Sequence, residues 1–373
     1  MKRALVTLIG LVALVIVAGR ADAYPQFQLS RDSTCTGCHI SPAGGGLLNE
    51  NGLNTADTMG QFGTKPEFMY GAIETPDWLT LGGDLRGLAG YIQAPQQYLL
   101  GLPMQADVYA NATKDRFSAQ LTVGMRPAQV GNEALTRVWA REHYLTWQSN
   151  PGDREGQWIR VGQLMPVFGL RYVEHPIYTR RFGGTPLMSE TYAASFSTVS
   201  ERMELHVTGF LKNPFMDGVA PANGGAAYGE YRITERTQVG AGALASQSDW
   251  DRRYRATLTA KQYLPTPGLL LQAEFQYIYN VADGLTDFGV DQIVGSLMGS
   301  YMLGDSIMID LGLGHYDENV RVRKVDRDCI DLNVHWFTTS HVELMLVAHA
   351  EMIGFTSGGP GSGWLMGQLH YRL

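Results

Sequence analysis

From Trp78 to Leu373 the chain repeats one pattern, in which apolar and polar residues alternate with a period of two. In 79–91, Leu79, Leu81, Leu85, Ala89 and Tyr91 share one side, against Thr80, Asp84 and Arg86. In 116–126, Phe117, Ala119, Leu121, Val123 and Met125 oppose Ser118, Gln120, Thr122 and Arg126. In 267–280, Leu269, Leu271, Ala273, Phe275, Tyr277 and Tyr279 oppose Gln272, Glu274 and Gln276. In 341–352, Val342, Leu344, Leu346, Ala348, Ala350 and Met352 oppose His341, Glu343, His349 and Glu351. The last stretch, 364–373, sets Leu365, Leu369, Tyr371 and Leu373 against Gln368, His370 and Arg372. Segments of ~10 residues, apolar on one face and charged on the other, are the signature of a transmembrane β-barrel.

The links between these segments alternate in length. Those near Lys114-Asp115, Thr234-Glu235, Pro265-Thr266, Gly304-Asp305 and Thr339-Ser340 are short, whereas those near 92–102, 127–136, 167–190, 213–223, 281–289, 317–327 and 353–361 are long. Short turns at one end and long loops at the other are the asymmetry of an outer-membrane barrel. The pattern predicts an all-β fold, an antiparallel barrel of about sixteen strands over 78–373, with the apolar face on lipid and the polar face lining a lumen. On this reading Leu346→Arg is costly and Glu343→Gln, on the lumenal face, nearly neutral. The end Tyr371-Arg372-Leu373 is similar to the terminal signal of bacterial outer-membrane barrels, in which Phe is the usual last residue.

Composition agrees with a membrane barrel. Of 373 residues, 45% are hydrophobic and only 17% charged, against about 25% charged in ordinary soluble domains. Lys2 and Arg3, the apolar run Ala4–Gly19 and Ala21-Asp22-Ala23 have the form of an export signal, so 1–23 is expected to be cleaved and the mature chain to begin at Tyr24. Losing Lys2, Arg3, Arg20 and Asp22 moves the formal net charge from -7 to -9, which disfavours a nucleic-acid partner.

Between the signal and the barrel, 24–77, residues 35–39 read Cys-Thr-Gly-Cys-His, the attachment motif for a c-type haem. Two thiols at this spacing match the two vinyl groups on one edge of the porphyrin, and the adjacent His39 falls under the iron. One haem c is therefore expected on Cys35 and Cys38, with His39 as proximal ligand. A zinc site would need further Cys or His residues nearby, and a disulfide would not need His39. No other His precedes Trp78, so Met59 or Met69 is the nearest candidate for the distal position, with His175 or His206 as the bis-histidine alternative. Gly44-Gly45-Gly46 would permit close approach to the ring, and Asn54 to Gly60 is expected to form a short helix. The long link Val167–Glu190, with Arg171, Glu174, His175, Tyr178, Arg180 and Arg181, could fold inward and place an Arg on haem propionates. Acids expected on outer loops (Asp249, Asp251, Asp283, Asp287, Asp317, Glu318) could attract cations. Cys329 is given no role and is expected at a loop or strand end.

An export signal, one CxxCH, a short haem segment and a porin-like barrel together resemble the fused outer-membrane cytochrome–porins. The resemblance rests on Cys35-Thr36-Gly37-Cys38-His39 and on the following Pro42, Leu48-Asn49 and Gly52, with Gly44-Gly45-Gly46 as a departure. It implies electron transfer across the outer membrane between an extracellular donor or acceptor, ferrous iron in the best-known members, and a periplasmic cytochrome or other redox carrier. The alternatives are a solute porin whose haem segment is a plug or redox sensor, and haem chemistry such as peroxide removal at an open sixth position.

Overall fold

A computed structural model describes residues 28–29, 34–93, 96–126, 137–172, 174, 176–184, 189–212, 222–282, 289–322, 326–353 and 361–373. Sixteen strands follow in order. They are β1 (Leu79–Gln93), β2 (Gln97–Lys114), β3 (Phe117–Arg126), β4 (Arg137–Gln148), β5 (Gly156–Leu164), β6 (Thr191–Val199), β7 (Met203–Leu211) and β8 (Asn223–Thr234). Then come β9 (Thr237–Gln247), β10 (Asp251–Leu264), β11 (Leu269–Ala282), β12 (Val290–Leu303), β13 (Ile307–Asp317), β14 (Arg327–Phe337), β15 (Val342–Ile353) and β16 (Ser362–Arg372). Each strand pairs with its sequence neighbour, and β1 closes antiparallel onto β16 with Asp84 opposite Arg372. Closure leaves no sheet edge, which a sheet in lipid requires.

The alternation fixes which face is which. Leu121, Phe275, Tyr277, Leu344, Leu346, Leu365 and Leu369 are exposed on the outer wall, while Gln120, Gln272, Glu274, Gln276, Glu343, His349 and His370 are buried inside. Exposed aromatics cluster at both ends of the wall: Trp78, Phe117 and Tyr231 beside the short turns, and Tyr91, Tyr98, Tyr254 and Tyr277 toward the other end. Such girdles belong where a barrel crosses the two membrane–water interfaces.

The expected short links are turns, all at the end where β1 begins and β16 finishes. The link read near 92–102 is different: β1 runs to Gln93 and β2 begins at Gln97, so most of that stretch is hairpin. Cross-strand pairing from Gly87–Pro103 to Gln93–Gln97 holds it extended despite Gly101 and Pro103, which weaken a strand locally. Residues 127–136, most of 213–223 and 281–289, part of 317–327 and most of 353–361 lie outside the described residues, as do the signal call 1–23, Asp283 and Asp287.

The lumen is filled from both ends. From the turn end enters the N-terminal segment, with α1 (Cys35–Cys38), α2 (Glu50–Met59) and a 3₁₀ turn (Phe68–Gly71). Helix α2 starts earlier than the sequence suggested because Asn49 caps it, its side chain accepting from the Gly52 N–H at 2.9 Å. From the loop end the link after β5 folds inward, burying Val167, Phe168, Leu170, Tyr172, Ile177 and Tyr178. It carries a short helix, α3 (Tyr178–Arg181). The backbone of this loop donates to wall side chains: Leu170 N–H to Glu274 (3.2 Å), Thr179 N–H to Ser296 (3.3 Å) and Gly184 N–H to Gln276 (3.0 Å).

Candidate functional site

Helix α1 is one turn long, so Cys35, Cys38 and the following His39 leave the same short stretch of backbone. Two strands of contact pin that turn. The His39 N–H bonds the Cys35 carbonyl (2.9 Å), and His39 makes an isolated antiparallel bridge with Leu48. Asn49 donates to the Thr36 carbonyl (2.9 Å) and Asn51 to the Gly37 carbonyl (2.8 Å). Gly52 lies so close that a Cβ there would stand 2.2 Å from the Cys38 carbonyl oxygen, well inside van der Waals contact. Leu48-Asn49 and Gly52 thus act as a clasp on Cys35–His39. Gly44 (φ 77°) turns back over the same group, where a Cβ would meet Cys35 Sγ at 3.4 Å.

The clasped turn sits inside the barrel. Thr36 donates to the Arg154 carbonyl at the turn end (2.5 Å), and Arg160 on β5 reaches Ser41 (3.2 Å). Arg171, from the inward loop, donates to the Ala43 carbonyl (3.3 Å), so the two inserts meet in the lumen. A compact charge cluster lies beside Cys35. Gln28 donates to Cys35 Sγ (3.0 Å) and accepts from Lys261; Lys261 pairs with Glu230 (2.8 Å), and Arg171 with Glu204 (2.6 Å). Burial pushes the Cys35 thiol up to about 12, and burial together with the Arg372 and Arg171 charges holds His39 down at about 4. The imidazole is therefore neutral, and its Nδ1 is buried without a hydrogen-bond partner.

Met59 and Met69 stand elsewhere. Met59 ends α2, seven residues past Gly52, or roughly 10 Å along the axis, and packs with Met308 and Phe337 on the wall. Met69 is 38% exposed with φ 51°, beside the Tyr70–His341 ring contact at 4.0 Å. His175 lies outside the described residues. His206 faces inward as expected, but both ring nitrogens are engaged, Nδ1 with Ser197 (2.8 Å) and Nε2 with Glu204 (2.6 Å). Of the loop arginines named from sequence, Arg171 lies nearest the Cys-Thr-Gly-Cys-His segment, donating to the Ala43 carbonyl and pairing with Glu204, and Arg181 lies 3.6 Å from Glu351. Cys329 is buried within β14, its Sγ 3.5 Å from Asp331.

A feature not anticipated from sequence runs around the inner wall. Tyr109 donates to Asp84 (2.6 Å), and Asp84 accepts from His370 Nε2 (2.8 Å). His370 Nδ1 and His335 Nδ1 converge on the two oxygens of Glu343 (2.9 and 2.7 Å). His335 Nε2 then faces Asp310 at 3.2 Å. The chain crosses six strands, and Asp84 within it is an electrostatic neighbour of His39. Its sequence signals are the polar-face positions of Asp84, Glu343 and His370 and the lone acid in the apolar run Ile307-Met308-Ile309-Asp310-Leu311; none of them shows the pairing.

No protein-family model matches the chain, and no curated protein sequence matches it. Solved structures do match in fold. Outer-membrane OmpT of Vibrio cholerae superposes with TM-score 0.60 at 13% identity, covering 81% of this chain and 100% of that one. An anion-selective porin from Comamonas acidovorans gives 0.61 at 13%, covering 79% and 99%. Salmonella typhi OmpF, in a complex with daunomycin, gives 0.58 at 10%, covering 79% and 94%. The chain is a closed sixteen-stranded antiparallel barrel of porin-like fold.

Proposed function

We propose that the chain is an outer-membrane cytochrome–porin that carries one c-type haem on Cys35 and Cys38, with His39 as proximal ligand, and passes electrons across the membrane. The observation that carries this reading is the position of the Cys-Thr-Gly-Cys-His turn, buried inside a barrel whose lumen is filled. A haem beneath the barrel would be too far from an external partner, because tunnelling decays steeply with distance. A haem within the lumen shortens the steps to both sides.

The residues present fit the group. Two thiols and a neutral imidazole come from one turn, the imidazole has an orphaned buried nitrogen, and Gly44 leaves the thiol side uncrowded. When bound, the haem supplies a one-electron couple. The chain holds His39 unprotonated, clasps the turn through Asn49, Asn51 and Gly52, and sets Arg171 and Lys261 where anionic propionates could be met. The distal ligand proposed is Met59 or Met69, either of which must leave its present contact to serve. The donor proposed from the resemblance is extracellular ferrous iron, and the acceptor a periplasmic redox carrier. The girdles, the lipid-facing alternation and the likeness in fold to outer-membrane proteins support an outer-membrane location.

A solute porin with a haem-bearing plug is the second reading, favoured by the fold of the neighbours, one of them an anion-selective porin. Against a wide aqueous path stands the burial of wall residues such as Gln272, His206, Glu204 and Lys261, which an open channel would hydrate. The deciding experiment has two arms on the purified full-length barrel. Haem should persist on the polypeptide after denaturation, and ferrous iron should reduce it. In planar bilayers the protein should show little solute conductance. Haem that extracts freely, or large conductance without iron-driven reduction, would replace this reading with the porin.

A further inference from the structure

Within the lumen, Glu174 of the inward loop, Asp310 of β13 and His335 of β14 each offer a ligand atom, all within 4.8 Å of one another. Asp310 is 0% exposed, and its carboxylate oxygens have no hydrogen-bond partner beyond the cluster itself, Oδ2 having only the ion pair with His335 Nε2 at 3.2 Å. Oε2 of Glu174 is likewise buried without one. Two carboxylates this close are costly to bury unless a positive charge joins them. The third member is set up as metal-binding histidines are. His335 gives its Nδ1 side to Glu343 (2.7 Å), which fixes the ring and leaves Nε2 on the Asp310 side, 3.2 Å from Oδ2. The Tyr172 hydroxyl, fully buried and without a hydrogen-bond partner, feels the charges of Glu174 and Asp310.

We propose that Glu174, Asp310 and His335 form a binding site for one divalent first-row transition cation, with Glu343 as its orienting residue. Two carboxylates and one imidazole suit ions such as Zn(II) or Mn(II), whereas Ca(II) and Mg(II) prefer oxygen alone. The other cluster of this kind among the described residues, Cys329, Asp331 and His349, is a weaker candidate. There both oxygens of Asp331 are already engaged, by Cys329 (3.5 Å) and His349 (2.6 Å). The proposed site joins the inward loop to the wall, so an ion there would also tie that loop in place. The inference stands apart from the haem reading, since none of its ligands belongs to the haem segment.

The test is metal content and Mn(II) resonance on the purified full-length protein, stripped with chelator and reloaded. With Zn(II), elemental analysis should give one equivalent per chain after desalting, and bound Mn(II) should lose the free-ion signal. Asp310→Asn and Glu174→Gln should each weaken binding by at least about 10-fold, and Glu343→Gln by roughly 10- to 100-fold; Cys329→Ser should leave it unchanged. Glu174 lies on the loop and not in the wall, so Glu174→Gln keeps the test open if the Asp310 variant does not fold. No retained metal in the wild type overturns the proposal. So does binding lost in Cys329→Ser but kept in Glu174→Gln, which would move the ion to the other cluster.

Discussion

Glu343→Gln separates the present structure from a barrel with a merely polar lining. Alternation alone makes Glu343 one lumenal acid among several and its amide a mild change. In the structure its two oxygens take His335 Nδ1 at 2.7 Å and His370 Nδ1 at 2.9 Å, and both rings lean on further carboxylates, Asp310 and Asp84. An amide offers one acceptor and one donor group. The rings can answer by exchanging tautomers, one accepting from the new NH₂ and turning its own N–H toward its Asp. Geometry then survives, but charge assistance does not. A hydrogen bond to a charged group contributes about 1.5–3 kcal/mol and a neutral one about 0.5–1.5 kcal/mol, so two such losses cost roughly 2 kcal/mol. Glu343→Leu strands both rings and should cost more, roughly 2–6 kcal/mol at about 1–3 kcal/mol for each unsatisfied group. Urea unfolding in lipid vesicles, followed by tryptophan fluorescence, gives both values. Leu344→Ile on the lipid face of the same strand serves as the neutral control. A Glu343→Gln variant within about 0.5 kcal/mol of wild type, near the scatter expected for surface changes, would refute the network and restore the simpler lining.

Leu346, 47% exposed on the outer wall, should lose about 2–4 kcal/mol on change to Arg if it meets the bilayer midplane, read by the same unfolding assay. Gly52→Ala drives a methyl onto the Cys38 carbonyl and should lower the ratio of covalent haem to protein on stained denaturing gels while the barrel still forms. Met59→Ala should cost about 2–5 kcal/mol through the cavity left against Met308 and Phe337, and half-exposed Met69→Ala far less. Whichever change converts the ferric spectrum from low to high spin identifies the distal ligand, and a change in neither removes both candidates. In the haem-free chain, a Cys35 thiol pushed up to about 12 is only about 0.01% thiolate at pH 8, so iodoacetamide should label this half-buried group far more slowly than an ordinary cysteine until the protein is unfolded; labelling at the ordinary rate would contradict the raised thiol.

Strand positions, faces and turns were legible because a lipid-facing barrel writes each residue's side into a period of two. Leu365, Leu369 and His370 needed no partner to be placed. The 92–102 stretch misled because Gly and Pro weaken a strand locally, while a long partner strand can still hold it. Inside the lumen the same code fails. It marks Asp310 as polar and inward and is silent on Arg171, a loop residue that reaches Ala43 across 128 residues of sequence, while Asp310 meets Glu174 only because that loop folds back. Met59 shows the converse: nearness in sequence to His39 makes it a candidate ligand but says nothing of the ten residues of helix that carry its side chain to the wall, a contact it would have to leave to serve. His206 could be placed inward but not seen to be fully bonded, since its partners Ser197 and Glu204 lie on faces that alternation identifies without pairing.

The burial of Thr36, Gly37 and Cys38 within the lumen imposes an order on biogenesis. An enzyme that joins a porphyrin to Cys35 and Cys38 must reach both sulfurs, and a closed sixteen-stranded wall gives it no passage. Any such modification belongs to the stage when the exported chain is still open. With the proposed haem in place, the barrel would then fold around a finished prosthetic group, and insertion into the membrane would be the step that seals it. A chain that closes first, with bare thiols inside, could not be repaired without unfolding, so loading and closure are competing fates of one intermediate. If the haem proposal holds, slowing the closure of β1 onto β16 should raise the loaded fraction, even though that seam lies outside the Cys35–His39 turn.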